Sequence, residues 1–462
     1  MAVLTKDRQF YRTFFHLLIF VAAQNMLLYS VNLADTLMLG AYHQNSLAGA
    51  ALANQTQFLL QMVINGIADG LLVLGTQYWG TKRINPIKRV VASAFRYGLP
   101  IVAVFFFTCL FFPSSILSLF TSDANVIAQG VVYLRILSFS FPLFFLTNLF
   151  IASQRCVENV SFGMWLSVIT LTTNILLNLV LIFGLLGFPA MGIKGAAIAT
   201  LISRIVEFFF ALFYVLKKDK RLQMKLKDFF HIDALLHKDF FKIATPVVLS
   251  GASWGIAMSV QTAILGRLGS DAVSANAIAT ALFQVCTVIS YGGASAAGII
   301  IGKVVGQGDL VKTKEYTKSL QWIFLLLGAL TFSFIQLLRG PIVSFYQQYG
   351  GGFTQQALTL SNSFINVLSV TSVGTAYQVA CLTGIVRGGG NTKFVFFNDL
   401  IFMWGMVLPL ALLGSFVFDW SPLVLFIVLK SDQITKCLVA VIYVNSYRWV
   451  RQLTREETTL SN

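Results

Sequence analysis

The residue that most needs a chemical explanation is Asp35, near the outer end of the first long apolar segment. The approach from Phe14 to Leu33 contains no Asp, Glu, Lys or Arg. An acid at that depth costs roughly 2.5–3.5 kcal/mol on insertion scales, so it usually faces a protein interior or a cavity. The functional interpretation is a cation or proton site. The alternative, a carboxylate satisfied by neighbouring helices, remains open.

Further polar groups lie at a similar depth in later segments. Asn174 and Asn178 are four residues apart on the fifth segment, hence on one helical face, and Thr200 lies on the sixth. At a rise of about 1.5 Å per residue, these residues and Asp35 fall within the same slab of about 10 Å. One carboxylate with amide and hydroxyl oxygens suits Na⁺, or a protonatable carboxylate held by amides. Alternatively, the asparagines join helices and Thr200 bonds to its own helix.

Other polar groups within the apolar segments are weaker candidates. Asp69, deep in the second segment, is either a second acidic site or a structural hydrogen-bond acceptor. Gln24, Asn25 and Gln284 are candidates for lining a cavity.

Five charged residues within the later segments have a more structural interpretation. Arg204 and Glu207, three apart, are expected to pair with each other, as are Asp432 and Lys436, four apart. Asp399 is expected to be interfacial. Asp399, Asp432 and Lys436 are predicted to lie toward the cytoplasmic ends of their segments and to be dispensable for ion coupling.

The sequence contains no constellation typical of an enzyme. None of the four histidines is placed with a nucleophile or in a His-x-x-x-His pair, and there is no Walker loop. No acid cluster is suited to Mg²⁺-diphosphate. We therefore expect no catalytic residues, no cofactor and no metal beyond a possible Na⁺ at the coupling site.

Composition indicates an all-α polytopic membrane protein. The chain is 56% hydrophobic and 11% charged, with a mean hydropathy of +0.76. Its apolar runs are long enough to cross a hydrocarbon core about 30 Å thick, and too long for barrel strands. The sequence predicts twelve transmembrane helices, in 14–39, 54–79, 90–112, 126–152, 160–186, 193–216, 238–266, 275–305, 318–338, 357–386, 394–416 and 421–445.

The net charge of +15 is explained by membrane topology rather than by nucleic-acid binding. Lys and Arg gather on alternate connecting segments, which is the positive-inside pattern. It predicts cytoplasmic termini and contacts with anionic membrane lipids. The basic groups are Lys6/Arg8/Arg12, Lys82/Arg83/Lys88/Arg89, Lys217 through Lys242, Lys303/Lys312/Lys314/Lys318, Arg387/Lys393 and Arg448/Arg451/Arg455.

The chain repeats itself. Residues 35–53 align without a gap on 261–279, and Gly80 meets Gly306 at the same offset. The predicted domains are an amino-terminal six-helix lobe, a cytoplasmic linker and a carboxyl-terminal six-helix lobe with a short tail. A parallel repeat of this kind is common in secondary transporters, where a cavity lies between the copies. The domain boundaries are 1–216, 217–237 and 238–462.

Over nearly its full length the chain resembles the multidrug and toxic compound extrusion (MATE) family of cation-coupled efflux transporters. The resemblance implies a V-shaped, two-lobe fold with a central cavity, and export of amphipathic organic cations in exchange for Na⁺ or H⁺. The motifs that carry it are VNLADTLMLG, GTQYWGTKR, NILLNLVLIFGLLGFPAMGIKGAAIATLISR, VVGQGD and NSYRWVRQLTR.

Carried over by position, the family's coupling site falls on Asp35, Asn174, Asn178 and Thr200. Some members have an aspartate where this chain has Asn178. Members with a carboxyl-lobe site carry an acid in the seventh span, and 246–263 contains none. Coupling is therefore predicted in the amino-terminal lobe.

The resulting hypothesis is a monomeric inner-membrane antiporter of small amphipathic compounds. One alternative is a flippase for lipid-linked saccharides, which would need several Arg or Lys within the spans. Another, of a different class, is a membrane enzyme or receptor.

Overall fold

The computed structural model describes residues 4–42, 44–231, 233–349 and 354–455, and nearly all of them are helical. The all-α polytopic fold predicted from composition is confirmed. The chain divides into two compact units. We call residues 23–248 with Arg455 the first unit, and residues 4–22 with 249–454 the second unit.

The helices are numbered in chain order. The first eight are α1 (Arg8–Tyr42), α2 (Gln44–Gly80), α3 (Ile84–Phe111), α4 (Pro113–Leu117), α5 (Ala124–Ser138), α6 (Ser140–Cys156), α7 (Ser161–Phe183) and α8 (Ile193–Phe213). The other eight are α9 (Ala234–Gly266), α10 (Ser270–Gly306), α11 (Leu310–Tyr349), α12 (Gln355–Val379), α13 (Thr392–Leu400), α14 (Leu408–Phe416), α15 (Pro422–Lys430) and α16 (Asp432–Ser446). The described residues also contain three π-helical turns: Tyr214–Lys218 extends α8, Ala380–Val386 extends α12, and Ile401–Val407 joins α13 to α14.

Within the described residues, ten helical segments are long and apolar enough to cross a membrane. The number becomes eleven if α5 and α6, which meet at a bend of 47°, form one span. The last predicted span is divided at Ser431 into α15 and α16, of 9 and 15 residues. Lys430, Asp432 and Lys436 lie around that break, and their charges lower the hydropathy of the predicted last span. The count of twelve spans stays a prediction.

Helices α1 and α9 each contribute to both units, and glycines explain how they pack. A Cβ on Gly66 would lie 2.7 Å from the Cα of Val248, so α2 receives the backbone of α9 there. A Cβ on Gly292 would lie 3.0 Å from the amide nitrogen of Ala22, so α10 receives α1 in the same way. The offset that relates Asp35 to Gln261 also relates these two contacts, which supports the internal repeat.

The division into units differs from the sequence-based boundaries. The first part of α1, up to Ala22, belongs to the second unit, and the first part of α9, up to Val248, belongs to the first unit. The predicted domains describe where each copy of the repeat begins and ends along the chain, and they stay a prediction.

The charged segment 217–237 packs on the first unit. Lys88 lies 3.2 Å from the carboxylate of Asp228, and Arg89 lies 2.8 Å from that of Asp233. These ion pairs tie the segment to α3. Its buried apolar residues are Leu222, Met224, Phe229 and Leu236.

The described residues just before α1 are held in the second unit through α11. The hydroxyl of Tyr316 donates to the Asp7 carboxylate at 2.6 Å, and this hydrogen bond holds the pKa of Asp7 below its usual value. The backbone amide of Thr5 donates to Ser319 Oγ at 2.9 Å. Thr5 and Asp7, just before α1, are therefore docked on α11.

Candidate functional site

The first unit brings the four predicted coupling residues into contact. Asp35 on α1 is 8% exposed, and Asn178 on α7 donates to its Oδ1 at 2.5 Å. The same amide donates to Asn174 Oδ1 at 3.1 Å, as expected for residues one turn apart. Asn174 in turn lies 3.4 Å from Thr200 Oγ1 on α8. One carboxylate, two amides and one hydroxyl thus form a continuous buried cluster from three helices.

The cluster leaves one oxygen without a partner. Asn178 Oδ1 is buried and accepts no hydrogen bond from any described residue. An unsatisfied buried acceptor costs about 1–3 kcal/mol, so such an atom needs an explanation. A small cation is one, because amide, hydroxyl and carboxylate oxygens are the hard ligands that Na⁺ takes. The donor set therefore fits Na⁺, while Asp35 alone is sufficient to bind a proton.

No basic side chain among the described residues contacts the carboxylate of Asp35 directly. No Lys, Arg or His nitrogen of the described residues lies within 4 Å of it. The nearest cation acting on it is Arg204, which pairs with Glu207 at 2.6 Å and lies over the Phe144 ring at 4.6 Å. The predicted pairing of Arg204 and Glu207 is confirmed. Asp35 is therefore a buried acid without a direct cationic partner among the described residues.

Tyr133 is a site residue that the sequence analysis missed. It lies on α5, is 1% exposed, and its hydroxyl faces Thr200 and Asn54 in the electrostatic environment of Asp35. A tyrosine in an apolar segment gives no signal of its own, since aromatic residues are common there. Its contact with Thr200 became apparent only from the packing of α5 on α8.

Asp69 belongs to a different polar group of the first unit. The charge of Asp69 acts on Arg155, whose Nη2 donates to Gln24 Oε1 at 2.7 Å. Gln24 is 3% exposed and takes part in this interaction between α1 and α6. Asn25 is half-buried, and Gln284, in the second unit, is exposed. The structure therefore places Gln24 with Arg155, whereas the direct partner of Asp35 is Asn178.

In the second unit, the residue that aligns with Asp35 in the internal repeat has a different chemistry. Gln261 stands there, is 3% exposed, and accepts a hydrogen bond from Lys430 Nζ at 3.2 Å. An amide oxygen that already accepts a hydrogen bond from the ammonium group of a lysine does not attract a second cation. The contact supports the expectation that a cation site lies in the first unit.

A buried ionic cluster lies elsewhere in the second unit. Lys436 Nζ lies 3.0 Å from Asp399 and 3.2 Å from Asp432, and Ser250 Oγ donates to Asp399 at 2.8 Å. The predicted pairing of Asp432 with Lys436 is confirmed. Asp432 begins α16 and Lys436 lies one turn later, and their predicted position toward a cytoplasmic end stays a prediction.

Comparisons with known proteins give a consistent picture. A family model described as MatE matches residues 21–180 and 246–413. The chain is 25% identical over 390 residues to "Uncharacterized transporter YisQ" of Bacillus subtilis, with 82% of each chain covered. It is 24% identical over 412 residues to "Probable multidrug resistance protein NorM" of Streptococcus pneumoniae, with 89% of each covered.

Solved structures share the fold. One described as an outward-facing conformation of a multidrug resistance MATE family transporter has a TM-score of 0.84 at 19% identity, with 96% of this chain and 98% of that one covered. A MOP superfamily transporter from Pyrococcus furiosus has a TM-score of 0.86 at 19% identity, with 98% and 100% covered. Since the family model matches more than half of the chain, this multi-pass membrane protein belongs to the MATE family of transporters.

Proposed function

We propose that this protein is a secondary antiporter that exports amphipathic organic cations in exchange for a monovalent cation bound at Asp35. The observation that carries the proposal is the buried Asp35 carboxylate, whose direct partner is a neutral amide, beside the unpartnered Asn178 Oδ1. The names of the multidrug resistance relatives support the substrate class. The coupling ion is Na⁺ or H⁺, and no cofactor is required.

The coupling follows from charge balance at one carboxylate. With the ion bound, Asp35 is neutral and its burial is inexpensive. With the ion released, the charge must be stabilised by the amides of Asn178 and Asn174, or by the positive charge of the substrate. A conformational equilibrium that depends on this charge converts an ion gradient into substrate movement.

The flippase alternative is weakened by the state of the buried guanidinium groups. A lipid-linked pyrophosphate would need several unpaired cations within the spans. Arg204 is already paired with Glu207, and Arg155 donates to Gln24 and lies in the field of Asp69. Arg135 on α5 is exposed. Export of organic cations therefore remains the better interpretation of the first unit.

The experiment is flux of a fluorescent lipophilic cation, ethidium, across the membrane of proteoliposomes. Na⁺ and pH gradients are imposed separately, with the membrane potential clamped. We expect one of the two gradients to drive ethidium against its own gradient. Ethidium movement that responds to neither gradient would contradict the proposal.

Removing a neutral ligand should weaken ion coupling without abolishing it. For Na⁺ we expect Asn178→Ala to raise the half-saturating concentration about tenfold, because the bound ion loses the Asn178 Oδ1 ligand and about 1.4 kcal/mol corresponds to tenfold. For H⁺ we expect the opposite direction, because the variant also loses the amide that stabilises the charged Asp35. The measurement is initial efflux rate against ion concentration. The control is Asn148→Ala, since Asn148 Nδ2 donates only to the Phe144 carbonyl of its own helix. Equal ion dependence in the two variants would show that Asn178 is not a ligand.

A further inference from the structure

A groove lies on the surface of the second unit, between α11, α12 and α16. Its volume is about 700 Å³, within the range of about 300–1,000 Å³ typical of ligand sites. Most of its wall is apolar, and several wall residues are strongly exposed. Those residues are Trp322, Leu325, Val370, Leu438 and Val441.

One end of the groove carries a positive charge without a counterion. Lys318 lines it and is partly exposed, and no carboxylate of the described residues lies within 4 Å of its Nζ. Lys314, one turn earlier on α11, lies over the Tyr447 ring at 5.4 Å. Most lysines at such a depth pair or snorkel toward an interface. Lys318 is therefore available to an anion that reaches the groove.

The wall at this end is also fixed in place by hydrogen bonds. The Tyr377 hydroxyl donates to Gln321 Oε1 at 2.7 Å, and Asn445 Nδ2 donates to the same oxygen at 3.2 Å. Gln321 Nε2 donates to Asn445 Oδ1 at 3.3 Å. These polar groups join α11, α12 and α16 beside Lys318, so the polar end is a preformed part of the fold rather than a loose surface.

The polar end of the groove coincides with the end of the unit that bears the basic connecting segments. Lys318 lies in the third turn of α11, and Asn445 lies in the last turn of α16. By the positive-inside pattern this end faces the cytoplasmic leaflet, whose surface is negative. Ile434 and Asn445 bound the groove along α16, which corresponds to about 16 Å at 1.5 Å per residue. One leaflet of hydrocarbon is about 15 Å thick.

We propose that this groove binds one anionic phospholipid of the cytoplasmic leaflet. Its phosphate lies against Lys318 Nζ, and one acyl chain lies along α16 between Leu438 and Val370. The charge at one end and the apolar length match an anionic lipid and not a soluble anion, which would gain nothing from the apolar wall. The site is independent of the proposed coupling site, which lies in the other unit.

Native mass spectrometry of the full chain released from nanodiscs tests the proposal. The nanodiscs contain phosphatidylglycerol and phosphatidylcholine of equal chain length in equal amounts. We expect one retained phosphatidylglycerol, and about fivefold weaker retention in Lys318→Gln, since a lysine near an anionic membrane contributes about 1 kcal/mol. Lys393→Gln is the charge-matched control, because Lys393 is exposed on α13 and is not part of the groove.

A second pair of variants tests the apolar wall. Val370→Trp fills the groove from an exposed position, whereas Ile442→Trp adds the same bulk on an exposed face outside it. We expect only Val370→Trp to reduce lipid retention. Equal retention of the two lipids, or Lys318→Gln that matches Lys393→Gln, would overturn the proposal. So would a protein dimer that loses its interface in Val370→Trp, because a second copy would then occupy the groove.

Discussion

Asp35→Asn is expected to abolish gradient-driven efflux while leaving the protein folded. The amide keeps the size of the side chain and can still hydrogen-bond with Asn178, but it removes the charge that binds and releases the ion. Replacing a buried acid by an amide also lowers the insertion cost, so expression and thermal stability should not fall. Concentrative ethidium efflux in proteoliposomes should drop at least about 100-fold, toward the leak of empty liposomes.

Ethidium exchange without an imposed gradient distinguishes loss of coupling from loss of transport. We expect Asp35→Asn to retain part of this exchange, since substrate binding and movement do not need the coupling ion to be released. Asp123→Asn is a matched acid-to-amide control, because Asp123 caps α5 at an exposed position. Wild-type coupling in Asp35→Asn, or its loss in Asp69→Asn instead, would remove Asp35 from the centre of the proposal.

The candidate site could be predicted largely because each of its polar residues stands out within its own apolar segment. An unpaired acid in a long apolar segment is conspicuous, and the spacing of Asn174 and Asn178 fixes a common helical face. Their similar depth follows from helix rise alone. The contacts with Asp35 and Thr200 then require only that α1, α7 and α8 pack together. Tyr133 was missed because its role depends on which face of α5 meets α8, and an aromatic residue gives no periodic signal.

Prediction of the fold meets the same limit, because packing between distant segments cannot be read from the sequence. Apolar length predicts the helical class and most of the spans, and the gapless alignment predicts two copies. The exchange of the first parts of α1 and α9 between the compact units was not predicted. It is accompanied by close contacts at Gly66 and Gly292, and a glycine within a span has several possible roles.

The ionic cluster of the second unit was predicted in part for a related reason. Asp432 and Lys436 could be paired from their spacing of four residues, which places them on one helical face. Asp399 lies on another helix, so its ion pair with Lys436 depends on packing between distant segments and could not be predicted from spacing.

Removing the cation of this cluster should strongly destabilise the protein. Lys436→Met leaves the Asp432 side chain, 2% exposed, and the Asp399 side chain, 29% exposed, without their shared partner. Breaking a buried ion pair on one side costs about 3–5 kcal/mol, and the partial exposure of Asp399 places the expected loss near 3 kcal/mol. The measurement is the free energy of unfolding in mixed detergent micelles, with the thermal melting temperature as a second readout.

The rescue variant makes this prediction specific to charge. Lys436→Met combined with Asp399→Asn and Asp432→Asn removes all three charges, and neutral replacement of a buried ionic group is often close to neutral in stability. We therefore expect the triple variant to recover most of the lost stability. Lys312→Met is the surface control, because Lys312 lies 3.5 Å from Asp309 in an exposed pair worth at most about 1 kcal/mol. If Lys436→Met loses no more than Lys312→Met, or if the triple variant is no more stable than Lys436→Met, the cluster does not stabilise the second unit through its charges.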